Sequence, residues 1–142
     1  MTQVNKMLIT LKNNISEIER LANAVIQFGH ENKFSDKVIF DVNLALEEVV
    51  NNVISYAYKD NNEHQINISM ELEGQVLVLK VEDDGTPFNP LAAPEPDIDK
   101  PLEEREPGGL GLFFVRNMTD ELEYKREKDR NILIMKKKIQ ED

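Results

Sequence analysis

Apolar positions recur along this chain with two periods, and the order in which the periods alternate predicts its elements. Val4 to Leu11 alternate loosely between apolar and polar, as a half-buried strand requires. Asn13-Asn14 and the capping pattern Ser16-x-x-Glu19 then introduce Ile15, Ile18, Leu21, Ala22, Val25 and Ile26 at helical spacing, a stripe ending by Gly29. A second start signal, Ser35-Asp36, opens the longest periodic segment, with Val38, Val42, Ala45, Leu46, Val49, Val50, Val53, Ile54 and Ala57 on one broad face. It predicts a helix from about Asp36 to Tyr58. Gln65 to Leu72 and Gln75 to Val81 return to strict alternation around Glu73-Gly74, a hairpin signal because Gly supplies positive φ. Gly111 to Thr119 carries a short helical pattern, and Leu122 to Arg126 with Asn131 to Ile139 predicts a last hairpin through Lys128-Asp129-Arg130.

Between the two hairpins the composition changes. All six prolines fall from Pro87 to Pro107, and four of the six glycines from Gly85 to Gly111. Proline removes a backbone donor and blocks regular structure, so this stretch reads as a long loop, a lid over about residues 85–110. The element order is β-α-α-β-β-lid-α-β-β, in which strands joined by short turns must be antiparallel. It predicts one domain over residues 1–142, an α+β two-layer sandwich whose antiparallel or mixed sheet is covered on one face by helices.

Charge and composition then narrow the function. With 27 acidic and 17 basic side chains the chain carries a net charge of −10, which repels phosphate backbones and anionic membranes. Its one dense basic run is Lys136 to Lys138, so neither nucleic acid nor membrane is an expected partner. The absence of cysteine removes disulfides, zinc fingers and thiol catalysis. With no signal pattern and no apolar run of bilayer length, the expectation is a soluble, cytoplasmic protein. The only histidines, His30 and His64, are expected at the surface.

Three segments carry candidate chemistry. Glu48 and Asn52 lie one helical turn apart and project from the same face, where a carboxylate and a carboxamide oxygen suit a hydrated hard cation such as Mg²⁺. Glu47 and Asn51 offer the same spacing, and an ordinary solvated helix face carries such residues too. In Val81-Glu82-Asp83-Asp84-Gly85-Thr86-Pro87-Phe88, alternation from Val81 turns Asp83 toward the core, where a carboxylate needs a donor to offset its desolvation. A ligand amino group would supply one. Pro107-Gly108-Gly109-Leu110-Gly111-Leu112 stands directly ahead of a helix, whose first N–H groups and dipole attract phosphate; as a hinge or a cap it would look the same.

In this order and at these intervals, the three segments resemble the N, G1 and G2 boxes of the GHKL (Bergerat-fold) ATPase superfamily. The resemblance runs from Asp36 to the terminal hairpin. Its nearest form is the RsbW-type anti-sigma factor and serine-protein kinase family, through Leu44-Ala45-Leu46-Glu47-Glu48-Val49-Val50-Asn51-Asn52 and Asp83-Asp84-Gly85-Thr86-Pro87-Phe88. The resemblance implies ATP and Mg²⁺ as cofactors. It makes Glu48 the general base toward a serine hydroxyl and Asn52 the Mg²⁺ ligand, a register favoured over Glu47 and Asn51 by the position of Tyr56-Ala57-Tyr58. It has Asp83 accept from the adenine amino group and Gly85 admit the base, with Gly108, Gly109, Leu110, Gly111 and Leu112 cradling phosphates. Arg105, the lid's only arginine, is either a phosphate contact or a solvent partner of Glu103, Glu104 or Glu106.

The implied function is an anti-sigma factor that phosphorylates a serine of a STAS-type antagonist and also binds a sigma factor, with a homodimer surface on the first helix and strand. The alternatives are a non-catalytic ATP-binding or protein-interaction module of the same fold, the catalytic half of a histidine kinase, and a domain with no ligand. A histidine kinase presents its phosphoacceptor His on a dimerisation helix, whereas His30 falls at the end of the first helix. Two positions depart from the family pattern. Pro87 replaces the second G1 glycine, and Asn131-Ile132-Leu133-Ile134-Met135 lacks the threonine that many relatives place near adenine. Adenine recognition then rests more on Asp83 and ordered water.

Overall fold

The computed structural model describes residues 5–89 and 109–139. Strands β1 (Lys6–Lys12), β2 (Gln65–Glu73), β3 (Val76–Asp83), β4 (Glu121–Glu127) and β5 (Arg130–Lys138) form one sheet in the order β1-β2-β3-β5-β4. Every neighbouring pair is antiparallel. Helices α1 (Ile18–Glu31), α2 (Asp36–Tyr56) and α3 (Gly109–Met118) complete the element order that the hydrophobic pattern predicts. The expected lid lies for the most part outside the described residues, and Arg105 and Gly108 lie outside them with it.

The start of α1 corrects the capping expectation. Asn14 caps a 3-10 turn, Ile15–Glu17, by accepting from the Ser16 amide at 3.0 Å, and α1 follows without a side-chain cap of its own. Ser16 sits inside that turn, so its hydroxyl does not occupy a cap position. The helix also runs past Gly29, where the two helices approach too closely for a side chain: a Cβ on Gly29 would lie 2.5 Å from Ile39 Cγ1. For α2 the expectation holds, with Ser35 Oγ accepting from the Val38 amide at 3.2 Å.

One sheet face carries the core. Register places Ile9, Ile68, Val81, Leu133 and Tyr124 in one row across the five strands. The next row is Leu11, Ile66, Asp83, Asn131 and Arg126. The second row is apolar under α1 and becomes polar at β3, and that change locates the candidate site. On α2 the buried stripe contains Ile39, Val42, Ala45, Leu46, Val49, Val50 and Val53, and one polar residue, Asn52. The hairpin turns use the left-handed region, with Gly74 at φ 62° between β2 and β3 and Lys128 and Asp129 at φ 51° and 63° between β4 and β5.

Candidate functional site

A cleft opens between α2 and the polar end of the sheet. Val49 and Val53 from α2 and Val81 and Leu133 from the sheet form its apolar walls. Phe88 and Tyr124 add aromatic surface, and Asn52, Asp83 and Asn131 supply the polar groups. An apolar cavity with a few convergent polar groups is the usual form of a small-molecule site.

Asp83 ends β3 on the inward side, as alternation predicts, and is 2% exposed. Its Oδ1 accepts from the Gly85 amide at 2.8 Å and from Asn131 Nδ2 at 3.0 Å. Among the described residues, both hydrogen bonds to this carboxylate land on that one oxygen. Burial pushes the Asp83 carboxyl above its usual range, while the bonds from Asn131 and Gly85 hold the ionised form in place. An ionised carboxylate in an apolar cleft is an acceptor for a ligand amino group.

Apart from Gly85, the support of Asp83 comes from residues that were not among the sequence candidates. Asn131, 4% exposed, stands opposite Asp83 in the sheet and also donates to the Thr86 carbonyl at 2.8 Å. Its Oδ1 accepts from the Tyr124 hydroxyl at 2.5 Å, Arg126 Nη1 at 3.1 Å and the Phe88 amide at 3.2 Å. The two-residue turn at Lys128-Asp129 already pairs Arg126 with Asn131. Only the β3–β5 pairing, which joins strands distant in sequence, brings Asp83 to them.

Asn52 lines the cleft at 7% exposure, and its Nδ2 is buried with no hydrogen-bond partner among the described residues. Such an orphan is costly in a finished core and points to a ligand or an amide rotation that presents its oxygen. Glu48, one turn earlier on α2, is half-buried and does not line the cleft. Burial first and the charge of Glu47 second raise its carboxyl above the ordinary value. Glu47 is exposed and Asn51 half-buried, and neither lines the cleft.

Gly85 has a packing reason of its own. A Cβ there would lie 2.5 Å from the Ala57 carbonyl oxygen, which also accepts from the Thr86 amide at 2.7 Å and the Thr86 hydroxyl at 3.0 Å. The glycine thus lets the chain after β3 sit against the residue that caps α2. Gly85→Ala is expected to cost about 1–3 kcal/mol through overpacking against backbone. A denaturation midpoint equal to wild type would count against this.

The helix at the glycine-rich segment begins at Gly109 rather than Gly111, so the backbone of Gly109, Leu110, Gly111 and Leu112 forms its first turn. The amides of a first turn have no intrahelical acceptor, which is the property a phosphate site uses.

His64 departs from the surface expectation, and His30 follows it. The His64 ring stacks on Tyr58 with centroids 4.3 Å apart, Nε2 lies 2.8 Å from Asp60 Oδ1, and Nδ1 lies 3.2 Å from Asp84 Oδ1. The hydrogen bond to Asp60 is the main cause of its raised pKa. Because the folded value lies above the unfolded one, this stabilisation is complete below the ordinary value of 6.5 and is lost as pH rises through the raised value. Urea midpoints of wild type should therefore fall from about pH 6 to about pH 8.5 by more than those of His64→Gln. Equal falls in the two proteins would refute this contribution of His64.

The family model for the histidine kinase-like ATPase domain matches residues 11–137. The chain is 26% identical over 103 residues to the serine/threonine-protein kinase BtrW of Bordetella bronchiseptica, covering 72% of each chain. It is 32% identical over 108 residues to the serine-protein kinase RsbW of Halalkalibacterium halodurans, covering 73% of this chain and 65% of that protein. To the RsbW of Bacillus mycoides it is 29% identical over 100 residues, covering 68% and 62%. The chain thus spans slightly under two thirds of these two RsbW relatives. In fold it is similar to the crystal structure of the RsbU and RsbW domains of a Mycobacterium tuberculosis protein, with a TM-score of 0.66 at 15% identity over 96% of this chain and 32% of that one.

Proposed function

We propose a function from one premise: the chain belongs to the histidine kinase-like ATPase domain family. It binds ATP and transfers the terminal phosphoryl group to a serine of a small STAS-type antagonist, acting as an anti-sigma factor whose other partner is a sigma factor. The observation that carries this reading is the convergence of Asp83, Asn131 and Asn52 on one cleft, in a chain whose relatives are named serine-protein kinases.

Asp83 accepts from the adenine amino group while the valine and aromatic walls hold the base. Gly85 lets the chain lie close beside the base. The first-turn amides of α3, with Gly108 ahead of them, receive the phosphates. The attacking serine Oγ forms a bond to the terminal phosphorus as the bond to the bridging oxygen of ADP breaks, and Glu48 takes the hydroxyl proton. Its raised pKa strengthens it as a base. Magnesium, when bound with the nucleotide, neutralises phosphate charge. Asn52 fits it, because the orphaned amide of this residue is available to turn an oxygen toward the cleft. Among the described residues no group of three His, Cys, Asp or Glu gathers to hold a metal.

The partner-switching role in transcription and a cytoplasmic location belong to the same reading. No helix among the described residues is long and apolar enough to cross a membrane. Strand β1 is a sheet edge with Leu8 72% exposed, which supports a homodimer along that side.

The test is to incubate the chain with Mg-ATP labelled on the terminal phosphate and a candidate STAS-type protein. Label on a serine of that protein is expected. Binding of ATP without transfer to any serine would replace the kinase with a non-catalytic module of the same fold.

A further inference from the structure

Asn131 joins two features that sheet geometry alone does not couple. Its two N–H groups are spent on Asp83 Oδ1 and on the Thr86 carbonyl, at 3.0 Å and 2.8 Å. Its oxygen is loaded by Tyr124, Arg126 and the Phe88 amide. Arg126 reaches past it to the Gly85 carbonyl at 2.8 Å. One buried carboxamide therefore holds the carboxylate at the end of β3, and also both a carbonyl and an amide of the backbone that leads away from it.

We infer that Asn131 is a positioning residue that sets nucleobase selectivity: it fixes Asp83 with one oxygen occupied and ties the placement of Phe88 on the cleft wall to the same amide. This deepens the ATP reading and rests on it. With its donors and its acceptor all engaged inside the protein, Asn131 leaves Asp83, an acceptor, as the polar group that the sheet side of the cleft offers a base, across from Asn52 on α2. Such an end takes a purine with an amino group at position 6 and opposes a keto oxygen there, since two acceptors facing each other lose a hydrogen bond and desolvate both. Selectivity for ATP over GTP thus depends on a side chain whose own hydrogen bonds are internal.

Replacement by the isosteric acid separates this role from mere packing. Asn131→Asp keeps an acceptor for Tyr124, Arg126 and Phe88, removes both donors, and sets a second carboxylate against Asp83. The charged and titratable groups that face Asp83 are Arg126 from β4, Asp84 next in the chain, and the Tyr58 hydroxyl beyond the end of α2. None of these is changed by the substitution.

The experiment is calorimetric titration with Mg-ATP and with Mg-GTP from about pH 5 to about pH 9. It compares wild type, Asp83→Asn, Asn131→Asp and Asn131→Ser, with thermal melts of each. Asn131→Asp should bind ATP about 10-fold to 100-fold more weakly near neutral pH and lose about 10-fold in its ATP to GTP ratio. The pH below which affinity collapses should move up, because a second carboxylate opposes ionisation of Asp83. Asn131→Ser, which keeps one donor, should fall between it and wild type. If Asn131→Asp melts out, Asn131→Ser against Asn131→Ala decides, and equal affinity, pH profile and base ratio in that pair would overturn the inference. So would folded Asn131→Asp that titrates like wild type. A wild type that binds no ATP, by contrast, would overturn the nucleotide reading itself, and an Asp83→Asn that binds ATP normally would remove Asp83 from it.

Discussion

Asp83→Asn should weaken Mg-ATP binding about a hundredfold without lowering the stability of the protein. The two side chains have the same shape, and the Asn oxygen can keep the bonds from Gly85 and Asn131 that the carboxylate Oδ1 now accepts. The remaining carboxylate oxygen then becomes an NH₂ group, so a donor confronts the adenine amino group, itself a donor. Losing a charge-assisted hydrogen bond and leaving a buried donor unmade amounts to about 2–3 kcal/mol, or close to two decades in Kd. Stability goes the other way. The Asp83 carboxyl titrates above its ordinary value because burial penalises its charge, so the native state holds this group at a cost at neutral pH that a neutral isostere does not carry. A titration of the variant that matches wild type would end the assignment, and a melt that drops sharply would mean that binding was lost through unfolding.

Glu48→Gln should leave nucleotide affinity within about twofold and slow phosphoryl transfer by about 10²–10⁴-fold, the range associated with a positioned general base. The amide keeps the size and polarity of the side chain and removes its basicity, so only a step that moves a proton is affected. The pH profile supplies a second readout. Burial, and then the Glu47 charge, raise the Glu48 carboxyl above the ordinary 4.5, so transfer should rise with pH through that raised value. Glu47→Gln removes the smaller contribution and should move this rise to lower pH without changing the plateau. Transfer at the wild-type rate by Glu48→Gln would show that another group takes the proton.

The two substitutions act on residues of differing legibility. Glu48 and Asn52 were readable from spacing along one helix, because 3.6 residues per turn places them on one face. The choice between that pair and Glu47 with Asn51 was not readable in the same way, since adjacent pairs differ only in which side of α2 meets the sheet. Asp83 was readable from alternation and from the proline-rich change that follows it. Gly85 was readable as a glycine at a strand end, but its neighbour, the Ala57 carbonyl, belongs to the far end of another element. His64 carried no readable signal at all, because its partners come from the loop after α2 and from the residue after Asp83.

Local periodicity was thus enough to name the strands and helices in order and to place one half-buried helical carboxylate and one inward-facing acid on them. Those properties depend on neighbours within about one turn or one hairpin, and a linear pattern records them directly. The site as an object arose only when β5 inserted between β3 and β4, setting Asn131 opposite Asp83 and Arg126 beside it. Pairing between distant strands is selected by burial of the whole sheet face and not by any one residue, so the contacts that orient the carboxylate exist only in the folded protein.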